Sequence, residues 1–207
     1  MTPPRPQRKS GRPPGADPAA RRAEILDAAE KLFSTEGYRG VSMSLVARES
    51  GMSQTGLVHH FPTKDELLKA VLDRRDERDS AQINLGTGQA GWDFVRTLVD
   101  LVKHNEGQET MVRLYASVAG EAVTAGHPAN EWLRGHHDAS RAMMERSVAE
   151  AVELGQLRPD APAETISRLL IAAMDGLQLQ WLSDADYPTM VDDFEALVGT
   201  LFARWKA

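Results

Sequence analysis

Two short stretches that each carry an apolar stripe, one opening after Ser42 and one running from Gln54 to Phe61, are separated by only three residues, Gly51-Met52-Ser53. That joint restricts the fold more than any other part of the chain. A glycine can take a left-handed backbone without a Cβ penalty, Met52 can plug an interior, and the serine after it can cap a new helix at once. So tight a turn sets two helices at a steep angle, the geometry of a helix-turn-helix. Leu57 and Phe61, four residues apart, face inward in the second helix and leave Gln54, Thr55, Val58 and His59 outward.

The surrounding pattern is helical throughout. From Ala19 to Glu36 the residues Ile25, Leu26, Ala29, Leu32 and Phe33 recur on one face, and Gly37 stands where a helix stops. Pro62 ends the third helix; Thr63-Lys64-Asp65-Glu66 is a capping box for a fourth, with Leu67, Leu68, Val71 and Leu72 on its buried side. After a gap containing Gly86, Gly88 and Gly91, the spacing predicts helices at about 92–105, 108–125, 129–155, 162–183 and 189–205. No strand alternation appears. The fold class expected is therefore all-α: a disordered basic arm at 1–18, an N-terminal three-helix helix-turn-helix DNA-binding domain at 19–66 with a linking helix at 63–80, and a C-terminal helical ligand-binding and dimerisation domain at 83–207.

Charge is distributed to match. The 207 residues carry a net charge of −6, yet residues 1–66 hold ten Lys/Arg against eight Asp/Glu while the remainder holds fourteen against twenty-two. Phosphate is met by a local patch, so the asymmetry says more than the total. Lys9-Ser10-Gly11-Arg12-Pro13-Pro14 has the extended cationic character that suits a minor groove, with a merely solvated tail as the equal alternative. Cysteine is absent, which excludes disulfides, thiol nucleophiles and Cys-based zinc sites. No stretch reaches the roughly 18 apolar residues of a membrane span, and the Pro- and Arg-rich start is unlike a secretion signal, so a cytoplasmic protein with no membrane partner is expected. His104, His127, His136 and His137 have no ligand spacing, so neither a metal nor a cofactor is expected.

Several ordered pieces at fixed spacing resemble the tetracycline-repressor (TetR) family of bacterial transcriptional regulators. They are Ile25-Leu26-Asp27-Ala28-Ala29, Leu32-Phe33 and Gly37-Tyr38; then Val46-Ala47 with Gly51-Met52-Ser53; then Gly56-Leu57 and His60 through Leu68. A weaker similarity to the regulatory halves of such proteins lies in Gly155-Gln156-Leu157-Arg158, Met174-Asp175-Gly176-Leu177 and Gln180-Trp181-Leu182. The resemblance implies a DNA-binding regulator, a repressor in the commonest case, that binds a palindromic operator as a homodimer and is released by a small-molecule effector, with helix four coupling the two halves. It also implies a DNA-facing position at Val58, where relatives often have an aromatic residue; valine can offer only apolar contact, for instance to a thymine methyl.

Residue chemistry sets the expected roles. Gln54 is the best base reader, since an amide binds adenine N6 and N7 together; Thr55 and His59 are secondary, and Gly56 permits close backbone approach. Ser42, Ser53 and Lys64 are candidate phosphate anchors, although the two serines are also explained as caps alone. His60 reads as a packed or phosphate-touching side chain rather than a metal ligand. Leu170, Leu177 and Trp181, with Phe194, Leu197, Val198, Leu201 and Phe202, stripe the last two helices and are the expected dimer interface, an intrachain core being the alternative. Met111, Tyr115, Trp132, His136, Met144, Asp175 and Gln178 are drawn on for a cavity taking a largely apolar effector. Two other functions stay open at this stage: an architectural DNA-binding protein without an effector, and an enzyme, for which no nucleophile, paired-carboxylate or phosphate-loop pattern is present.

Overall fold

The computed structural model describes residues 17–83 and 88–207, and the basic arm expected at 1–18 falls outside it as far as residue 16. Asp17 accepts a hydrogen bond from the Ala19 amide at 3.0 Å and caps α1 (Pro18–Gly40), with Pro18 in the first turn where its missing N–H is harmless. The predicted stop at Gly37 is real: its φ of 68° and ψ of 169° break the helix, and one last turn runs on to Gly40. α2 (Met43–Glu49) starts at Ser42, whose hydroxyl accepts from the Leu45 amide, and α3 (Gln54–His60) starts at Ser53, whose hydroxyl accepts from the Gly56 amide. Between them Gly51 adopts φ 66°, as the three-residue joint requires.

Six further helices follow: α4 (Lys64–Ile83), α5 (Trp92–Glu106), α6 (Glu109–Ala122), α7 (Asn130–Glu153), α8 (Ala163–Ser183) and α9 (Met190–Trp205). Thr63 Oγ1 accepts from the Glu66 amide, as the capping box foretells. α6 ends three residues short of its expected position, and no strand occurs among the described residues, where a lone bridge joins Leu157 to Lys206. No helix among those residues is long and apolar enough to cross a membrane.

Two apolar cores organise the helices. The first gathers Ile25, Phe33, Val46, Leu57, Phe61, Leu68 and Leu72 from α1–α4, and it does not close there: Leu114 and Val118 of α6 complete it. The second joins Trp92, Leu98, Val148, Ile166, Leu170 and Phe194 from α5 and α7–α9. Helix ends are tied across the second core by side chains, Glu150 accepting from the Gly91 amide at 2.9 Å and Gln156 from the Trp92 amide at 2.8 Å.

Candidate nucleic-acid interface and effector cavity

The head formed by α1–α3 presents one face of α3 to solvent. Leu57 and Phe61 are buried, while Gln54, Thr55, Val58 and His59 are exposed, Val58 at 41%. An exposed large apolar side chain between polar ones is suited to the floor of a major groove. Ser42 and Ser53 are exposed too; the Ser53 hydroxyl that caps its helix retains its own hydrogen to donate, whereas the Ser42 hydroxyl also shares a hydrogen bond with the Ser44 hydroxyl at 2.9 Å. Gly56 and His60 are half-buried, and the His60 ring packs edge-on to His59 with 6.1 Å between centroids. No cluster of metal-ligating side chains occurs among the described residues.

Lys64 is placed differently from the free cation the sequence suggests. Its ammonium donates to the carbonyls of Tyr38 and Val41, both at 2.9 Å, and sits 4.1 Å from the centroid of the Tyr38 ring. Two of three N–H groups thus close the open end of α1, and a single one is left for a phosphate. Sequence reasoning passed over Ser44 and Arg48, which α2 also exposes.

The head is joined to the rest at two places. On α4, Arg74 reaches Asp27 at 2.7 Å and Glu30 at 2.5 Å, and Arg78 reaches Glu30 at 3.1 Å. On α6, Glu121 accepts from the Tyr38 amide at 2.9 Å, immediately after the Gly37 break. Glu121 also lies 3.7 Å from Arg39 and 3.6 Å from the buried His127. The Tyr38 hydroxyl donates to Asp65; burial first, then this bond, pushes its pKa well up, so it stays a donor.

A cavity of about 590 Å³ opens between α4, α5, α7 and α8. Three of the seven residues expected to serve it, Trp132, His136 and Met144, line it. Tyr115 and Asp175 stand outside that lining: the Tyr115 hydroxyl donates to Asp175 at 3.0 Å and lies 3.1 Å from His137 Nε2, while its ring packs 5.5 Å from His136. Burial and the Asp175 carboxylate keep that hydroxyl protonated. Met111 and Gln178 are corrections. Met111 turns into the first core, and Gln178 is buried away from the cavity with its Oε1 unpartnered. The residues that were missed are Arg75, Asp76 and Asp79 on α4 and Asn105 on α5.

The expected dimer stripe also divides. Leu170, Phe194, Val198 and Leu201 are 0–8% exposed within the chain's own second core, and Phe202 packs on Trp92 at 5.6 Å, so these five are turned to intrachain neighbours. Leu177, Trp181 and Leu197 remain half-buried near the surface, with Leu169 46% exposed about two turns before Leu177 on α8.

A capped, tightly joined helix pair with an exposed second helix, carried on a larger helical body with a cavity, defines a helix-turn-helix regulator. Residues 25–71 match the family described as bacterial regulatory proteins, tetR family. The chain is 26% identical over 80% of its length, and 83% of the relative's, to the transcriptional repressor AcnR of Corynebacterium diphtheriae. Its fold superposes on a SmeT–triclosan complex with a TM-score of 0.77 at 21% identity, covering 91% of this chain and 92% of that one. A regulator from Saccharomonospora viridis crystallised with choline gives 0.75 at 22% identity, covering 91% and 99%. Residues 25–71 thus match the DNA-binding part of that family, and the relatives that the chain resembles along most of its length are named as transcriptional regulators.

Proposed function

We propose that the protein is a repressor that binds a palindromic operator as a homodimer in the cytoplasm and leaves it when a small molecule fills the α4–α8 cavity. The observation that carries this reading is the pairing of an exposed α3 face, Gln54 to His59, with a cavity in the same body. One α3 reads only a few base pairs, which makes two copies a requirement for specificity. Leu169, Leu177, Trp181 and Leu197 supply an apolar α8–α9 surface for that pairing. The AcnR relative is named a repressor, and a triclosan complex of a structural neighbour supports a small-molecule effector.

Ligand binding shifts DNA affinity only if it favours one head arrangement over another. Two helices can carry that preference here. α4 lines the cavity and holds α1 through Arg74 and Arg78; α6 holds Tyr115 near the cavity and Glu121 at the Gly37 break. The test is fluorescence anisotropy on a palindromic site selected from a random pool, against a scrambled duplex. A preference of roughly 10³-fold or more is expected of a regulator, and near-equal affinity would instead indicate an architectural protein. Sedimentation that shows a monomer at micromolar concentration overturns the homodimer.

A further inference from the structure

The cavity wall carries a charge pattern that selects among ligands. Arg75 is 6% exposed, binds Asp76 at 3.1 Å and Asp79 at 3.0 Å, and lies 4.3 Å from the centroid of the Tyr115 ring. One guanidinium thus serves two carboxylates. A third, Asp73, lines the same cavity with no cation in ion-pair contact among the described residues. His136 faces Asp76 at 3.3 Å, and the remaining cation of the lining, Arg146, is exposed. The wall thus sets three carboxylates against one buried guanidinium, and burial raises the pKa of Asp79 despite Arg75 beside it.

A second observation is independent of charge. Asn105 lines the cavity at 4% exposure, and its Nδ2 has no acceptor. Buried amide donors without partners are uncommon, and one on a cavity wall is matched by an oxygen on whatever enters.

We infer that the cavity takes an amphipathic organic cation, its apolar body against Leu98, Leu101, Met144 and Met174, its ammonium group beside Asp76 and Asp79, and an oxygen acceptor on Asn105 Nδ2. This rests on the effector reading and sharpens it. A neutral ligand would bury the carboxylates further with Arg75 still shared between two of them, and an anion would be repelled by them.

The test uses the full-length chain and four eight-carbon probes: octyltrimethylammonium, 1-octanol, octanoate and (2-hydroxyethyl)dimethyloctylammonium, titrated by calorimetry. Octyltrimethylammonium is expected to bind roughly tenfold or more tighter than 1-octanol, the ratio that about 1.4 kcal/mol gives, with octanoate weakest. Asp76→Asn and Asp79→Asn, each checked for native circular dichroism, should erase that order while leaving 1-octanol unchanged. The hydroxyethyl probe should exceed octyltrimethylammonium in the native chain and lose the advantage in Asn105→Leu. Equal or reversed affinities across the head groups, or an order that survives both aspartate substitutions, overturn the charge selection and leave the effector reading standing. If none of the four binds or lowers operator affinity, both fall together.

Discussion

In α1–α3 the buried and capping hydroxyls have partners a few residues away: Ser34 donates to the Lys31 carbonyl at 2.8 Å, Ser50 to the Val46 carbonyl at 2.8 Å, and Ser53 accepts from Gly56 at 3.1 Å. In the cavity-bearing half, Trp92 Nε1, Asn105 Nδ2 and Gln178 Oε1 are buried with none, and no such atom occurs among residues 18–60. The contrast separates two physical tasks. A reading surface must keep one shape so that side chains reach base edges in register. Of the three only Asn105 lines the cavity, and there the desolvation of its amide, about 1–3 kcal/mol, is recovered only when something binds.

The hardest test of that contrast is Phe33→Ala. Phe33 is fully buried in the head core, and its truncation should cost about 3–5 kcal/mol in urea unfolding and abolish operator binding. A loss under about 1 kcal/mol would mean that the head is loosely packed. Next comes Gln54→Ala, expected to cost roughly 1–3 kcal/mol at one base pair of each half-site in competition binding. Uniform weakening over all sequences would remove the base-reading role.

A matched pair sharpens the comparison. Ser53→Ala should destabilise by about 1 kcal/mol, because the Gly56 amide loses its cap. Asn105→Leu should be neutral or stabilising, since it replaces an unpartnered buried amide with a shape close to it. Thermal unfolding that gives both the same sign would break the comparison.

The smallest effect is a pH slope. The folded pKa of Asp79 is raised, chiefly by burial, so the folded chain holds that proton more tightly than the unfolded chain does. Its contribution to stability is fully present below the unfolded value near ~3.9 and is lost as pH rises through the folded value. Unfolding midpoints of the native chain minus those of Asp79→Asn should therefore decline over that interval, and a flat difference would show that the carboxyl is adequately solvated.

Most of the head was legible because its signals are local. The caps at Ser42, Ser53 and Thr63 each act on an amide three residues on, and the spacing of Leu57 and Phe61 separates the inward from the outward face of α3. The cavity was legible only in part, although a signal for more of it exists. Leu68, Val71 and Leu72 continue one turn on to Arg75, and Leu98, Leu101 and Val102 continue to Asn105; a polar residue on a buried stripe requires a partner. Of the junction, the share of α4 was implied by the family resemblance, and the share of α6 was not legible at all. Glu121 and Tyr38 lie 83 residues apart, and no periodicity along the chain brings α6 against α1. Nor does periodicity distinguish a second copy from the chain's own neighbour, which is why Leu170 and Phe194 were assigned to the wrong side.

Gly37 has one more consequence. A Cβ built there would approach Glu121 Oε1 to 2.8 Å, on a backbone with φ +68° that side chains rarely adopt. The hydrogen bond between α1 and α6 thus depends on a missing methyl group, and even alanine would push the Glu121 carboxylate from its place at the Tyr38 amide. A genetic selection for alleles that stay on their promoter in the presence of inducer should therefore return changes at this glycine, far from both the nucleotides and the small molecule, in proteins that still fold and still bind each of them.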